Sequence, residues 1–95
     1  MEFDFDAEII EWRGPAPYLF AALPQPLADE LALAARDLSY GWGCIPATGR
    51  IGGTDFTTSL FPRDGGYLVP VKSAVQRAEG VGLGDVIHVE LAVGD

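Results

Sequence analysis

The sequence predicts a mostly β chain, a closed barrel with two helices, on three observations. Apolar and polar residues alternate at period 2 in several short runs, Pro and Gly clusters punctuate those runs, and two stretches carry helical spacing instead. The 95 residues suffice for one domain around one core, because chains of this size bury roughly 60 to 70% of the surface they expose when unfolded. An apolar share of 48%, with 11% aromatic, is that of a folded globule.

The elements follow in order. In FDFDAEIIEW, residues 3–12, Phe3, Phe5, Ala7 and Ile9 fall on one side of the alternation and Asp4, Asp6, Glu8 and Ile10 on the other, the pattern of a half-buried antiparallel strand. Gly14-Pro15-Ala16-Pro17 breaks it, and Tyr18 to Leu23 reads as a second, more buried strand closing a hairpin. Leu27, Leu31, Ala34 or Ala35, and Leu38 then share one helical face. Pro26 in the first turn, Asp29 and Glu30 near the positive end, and Gly41 as a stop bound that helix.

From Tyr40 to Gly53 the chain is glycine-rich around a strand Ile45 to Ile51. Phe56, Thr58 and Leu60 alternate with Asp55, Thr57, Ser59 and Phe61 up to Pro62, which is expected to end the strand. Asp64-Gly65-Gly66 signals a hairpin turn, with Tyr67 to Val69 returning. Pro70 is expected to open a short helix, Val71 to Glu79, with Val75 inward and Gly80 at its end. In DVIHVELAV, Ile87, Val89, Leu91 and Val93 alternate with Val86, His88, Glu90 and Ala92, a closing strand. The order is β-β-α-β-β-β-α-β, in which antiparallel connections dominate and favour a barrel.

Fourteen carboxylates against six Lys and Arg give a net charge of −8, with Glu2, Asp4, Asp6, Glu8 and Glu11 concentrated at the start. The scattered Arg13, Arg36, Arg50, Arg63, Lys72 and Arg77 do not form the basic stripe that neutralises phosphates, so nucleic acid is not the expected partner. One Cys and one His exclude an intrachain disulfide and a zinc cage built from these two residue types. No cofactor is expected. The start lacks the basic and apolar regions of a signal peptide, and nowhere do 18 apolar residues follow in series; the expectation is a cytoplasmic protein without a membrane partner. The acidic first strand is expected either to guard a sheet edge by its charge or to pair across a homodimer.

With these elements in place, WRGPAPYLFAALP (residues 12–24) and YGWGCIPATGRIGGTDFTTSLFPRDGGYLVPVKSAVQRAEGVGLGDVIHVEL (residues 40–91) resemble the bacterial domain of unknown function 1905 family over nearly the whole chain. The resemblance implies a small double-split β-barrel and brings neither an established activity nor catalytic residues. The closing order of strand, proline, short helix, Gly82-Leu83-Gly84-Asp85 and strand is also similar to that of swapped-hairpin antitoxins and transition-state regulators, in which paired hairpins dimerise and basic residues meet DNA.

Cys44 and His88 are the one thiol and the one imidazole; a nucleophilic pair needs them within hydrogen-bond reach. The alternation puts His88 on the polar face of its strand beside Glu90, and Cys44 reads as a small buried residue. GRIGGT, residues 49–54, lacks the lysine tail of a phosphate loop and the spacing of a dinucleotide turn, so its glycines read as bends between strands. Arg50 among them is suited to a ligand carboxylate or phosphate, or to a surface ion pair. Trp12, Tyr18, Phe20, Trp42, Phe56 and Tyr67 are read as core more than as pocket.

The reading that follows is a non-catalytic β-barrel module binding a small molecule or a protein through Trp42, Arg50, Gly52, Gly53 and Thr54. A DNA-binding regulator of swapped-hairpin type is the second reading and a small-molecule enzyme the third.

Overall fold

Alternation along the sequence becomes alternation of inward and outward side chains around a barrel. A computed structural model describes residues 1–12, 18–38 and 43–94. Its elements are β1 (Glu2–Trp12), β2 (Tyr18–Ala22), α1 (Gln25–Leu38), β3 (Ile45–Ile51), β4 (Thr54–Arg63), β5 (Gly66–Pro70), α2 (Ser73–Glu79) and β6 (Val86–Val93), in the expected order. The turn at Gly14 to Pro17, Gly41 and Trp42 lie outside the described residues.

The strands close in the order β1-β2-β5-β4-β3-β6, every neighbour antiparallel. Two long strands join two sheets. β1 pairs through residues 2–8 with β6 and through 9–12 with β2. β4 pairs through 54–60 with β3 and through 61–63 with β5. The expectation of β1 as a guarded sheet edge is thereby corrected. Closure gives every residue of β1 a partner in its own chain, and its carboxylates point outward because the register turns Phe3, Phe5 and Ile9 inward.

The barrel is filled from all sides by the apolar half of each alternation. Ile9, Ile45, Leu60, Val69, Val89 and Val93 are fully buried, each contributing about 1.5 to 3 kcal/mol relative to an exposed position. Helix α1 presents Ala28 and Leu31 to this core, with Leu27 and Ala35 packed at its margin and Leu33 on the opposite, exposed face. Its first turn holds no acidic residue. Asp29 instead accepts a hydrogen bond at 2.8 Å from Gln25, whose amide also reaches the Gly65 carbonyl and ties the helix start to the β4–β5 turn.

Two boundaries differ from expectation. Pro62 does not end β4: it pairs with Tyr67, and the strand continues to Arg63 before Asp64 (φ 50°) and Gly65 (φ 79°) make the two-residue turn, the pair of left-handed residues that a type I′ hairpin requires. Pro70 closes β5 opposite Phe20, and Val71 still donates to the Leu19 carbonyl at 2.9 Å, so α2 begins two residues later than expected. Lys72 keeps the extended backbone of the strand (φ −67°, ψ 153°) and serves as the N-cap. Gly80 ends α2 in the left-handed conformation, as expected.

Candidate functional site

Among the described residues no polar or charged side chain is buried. Groups able to recognise a ligand therefore lie on the outer faces of the two sheets, which differ in chemistry.

The outer face of β1, β6, β3 and β4 is acidic. Register sets Asp4 opposite Glu90, Glu90 opposite Arg50, and Arg50 opposite Asp55, a charged row across four strands. Arg50 Nε donates to Asp55 at 2.8 Å, which raises the arginine's pKa through that hydrogen bond and the carboxylate's charge. One row along, His88 Nδ1 lies 2.7 Å from Asp6 and Nε2 lies 3.4 Å from Asp4. An ionised carboxylate only accepts, so Nδ1 carries the proton donated to Asp6, and the histidine pKa is raised by that bond first and then by the surrounding carboxylate charge. The concavity over this face, about 840 Å³, is lined by Glu2, Asp4, Asp55 and Glu90 together with Arg50.

Among the described residues, the expected site residues divide between the acidic face and the turn from β3 to β4. Arg50 belongs to the acidic face in the surface ion pair. Gly52 and Gly53 form the two-residue turn between β3 and β4, with Gly52 at φ 60°. A side chain at Gly52 would collide with the Glu79 carboxylate, which accepts a hydrogen bond from the Thr54 hydroxyl. Gly52 and Thr54 thus seat the end of α2 on the barrel. Trp42 lies outside the described residues. Cys44 is buried just before β3, whereas His88 is half-exposed beyond the Ile51–Val89 pair at the other end of that strand. At about 3.3 Å per residue, the run of β3 between them puts the two roughly 23 Å or more apart.

The second face, over β2, β5 and the end of β4, is apolar and carries exposed aromatics. Phe20 is buried, but outside the barrel core, between Tyr18 and Phe61. It meets Tyr18 with ring centroids 6.4 Å apart at 63° and Phe61 at 6.3 Å and 88°, the edge-to-face geometry that aromatic pairs favour. Tyr18 is 58% exposed and Phe61 43%. Beside them a groove of about 810 Å³ runs between the strands and α2, walled by Leu19, Pro70 and Val71 and edged by Thr57, Ser59, Lys72 and Gln76. Lys72 Nζ donates to the Thr57 carbonyl at 2.7 Å, and Gln76 Nε2 to the Val71 carbonyl at 2.8 Å. A shallower depression of about 300 Å³ lies across the Phe20–Phe61 pair, toward Arg63 and Leu68.

Tyr18 and Phe20, expected as core more than as pocket, lie outside the barrel core, and the sequence reading did not single out Phe61 or Lys72. The signal available was parity: Phe61 falls on the same side of its strand as Asp55, Thr57 and Ser59, so an aromatic sits on a polar face.

Comparison with known proteins places these faces in context. The family model described as a domain of unknown function (DUF1905) matches residues 5–91. A highly reducing polyketide synthase of Sordaria araneosa is 30% identical over 93 residues, covering 88% of this chain and 3% of that protein. The chain therefore spans a very small part of the length of that curated relative.

Proposed function

Taking as premise that the chain belongs to the DUF1905 family, we propose that it is a non-catalytic binding module whose ligand seat is the groove between β2, β4, β5 and α2. The aromatic arrangement of Tyr18, Phe20 and Phe61 on an outer face carries the reading. A barrel whose core is already filled has no packing need for three rings outside it, and the groove falls in the usual size range of small-molecule sites. The separation of Cys44 from His88 speaks against nucleophilic chemistry by that pair. The acidic face over β1 and β6 opposes a phosphate backbone, so the DNA-binding reading has the wrong charge to support it. The match to a very small part of a polyketide synthase suits an accessory module that works beside other activities.

Titration of the isotope-labelled protein with a fragment library, followed by backbone amide shifts, tests the proposal. Saturable shifts are expected at Leu19, Phe20, Phe61 and Lys72, and duplex DNA at low salt is expected to move none of them. A library that produces no saturable shift in the groove would remove the basis for this function.

A further inference from the structure

Charge is distributed unevenly over this molecule, and the groove is the exception to its surplus of carboxylates. The chain carries fourteen Asp and Glu against six Lys and Arg. Yet among the described residues no carboxylate lines the groove, whose one charged side chain is Lys72. Around it stand Thr57, Ser59, Ser73 and Gln76. The bond from Lys72 Nζ to the Thr57 carbonyl uses one of three ammonium protons and holds the head group at the groove's edge. Phe20 meets Tyr18 and Phe61 edge to face, and the three rings line the same groove as an apolar wall.

An apolar wall of aromatic rings with a single cation in the same groove matches one kind of occupant. Resting on the binding role proposed above, we infer that the groove takes a small aromatic anion, with its ring system against Tyr18 and Phe61 and its carboxylate, sulfonate or phosphate on Lys72. A cationic ligand finds no counter-charge there and is better served by the opposite, acidic face. A neutral aromatic gains the wall but not the ammonium. For a polyanion such as nucleic acid, one cation is too few and the rest of the surface repels.

The test compares two fluorescent probes that share a ring system: anilinonaphthalene sulfonate, and phenylnaphthylamine, which lacks the sulfonate. Each is titrated into the full chain, with amide shifts locating the bound probe. The sulfonate is expected to bind about five- to tenfold more tightly than the neutral probe, as one charge-assisted contact near the surface would give. Lys72→Gln should abolish that advantage and Lys72→Arg keep it, while Phe61→Ala weakens both probes. If both probes bind the groove equally and Lys72→Gln changes neither, the anion inference is overturned and the binding role stands. If neither saturates, or shifts map elsewhere on the wild-type protein, both fall. Lys72 is an exposed side chain, so its replacement leaves the barrel intact for this comparison.

Discussion

At the scale of single residues, the outer face of β1 and β6 concentrates like charges that, among the described residues, Arg50 and His88 offset. Asp4 and Glu90 stand directly opposite each other, an unfavourable cross-strand pair. Arg50 faces Glu90 from the next strand and His88 reaches both Asp4 and Asp6. A histidine pKa raised in the folded state means that its contribution to stability is fully present below the unfolded value and is lost as pH rises through the folded one. Replacement by Asn is therefore expected to destabilise the protein at about pH 5.5 and to cost progressively less towards about pH 8.5, as the imidazolium gives up its proton. Urea unfolding of both proteins at the two pH values measures this; a gap that does not close on the alkaline side would mean that the aspartates do not hold the imidazolium. The Arg50–Asp55 pair was legible in advance. A two-residue Gly-Gly turn between Ile51 and Thr54 dictates that 50 lies opposite 55, so the arginine is answered by its own hairpin.

At the scale of elements, close packing between neighbouring strands is set by a residue without a side chain. Gly49 faces the interior between Leu91 and Phe56, and a Cβ there would sit 2.5 Å from Phe56 Cζ and 3.1 Å from the Glu90 carbonyl. Gly49→Ala should force the ring aside and destabilise the barrel by about 1 to 3 kcal/mol, the usual cost of overpacking. Pairing it with Phe56→Leu should recover part of the loss, since the clash is with the ring. Thermal unfolding of the two single variants and the double variant decides it, and simple additivity would show that the backbone, not Phe56, is the obstacle. The turn glycines act through different physics. At Gly52 the constraint is φ 60° together with the Glu79 carboxylate packed against the turn. These contacts join residues 27 positions apart in sequence, beyond the reach of a local pattern.

At the scale of the whole molecule, a net charge of −8 on a barrel of 12.5 Å radius of gyration produces self-repulsion that salt screens. Tm is expected to rise between about 0.02 M and about 0.5 M sodium chloride, because the screening length falls from more than 20 Å to a few ångströms. A Tm that falls with salt would mean that attractive pairs such as Arg50–Asp55 outweigh the repulsion. Barrel closure also decides what the molecule offers to others. β1 finds all its partners within the chain, which leaves side-chain faces rather than an acidic strand edge as the surfaces for recognition.

Read alone, the sequence determined the order of the elements and the two faces of the first and last strands, because period-2 and helical spacing are local consequences of backbone geometry and each apolar face must be buried somewhere. It also marked the Asp-Gly turn and the Gly80 helix end, where a left-handed backbone selects the residue type. Only the tertiary structure decided which outward faces lie side by side. Closure and register set Asp4, Glu90, Arg50 and Asp55 in one row, and they bring Tyr18, Phe61 and Lys72 from three parts of the chain to one groove. Outward residues are not constrained by the alternation that specifies the core, so their grouping follows from which strands become neighbours, and that is a property of the closed barrel.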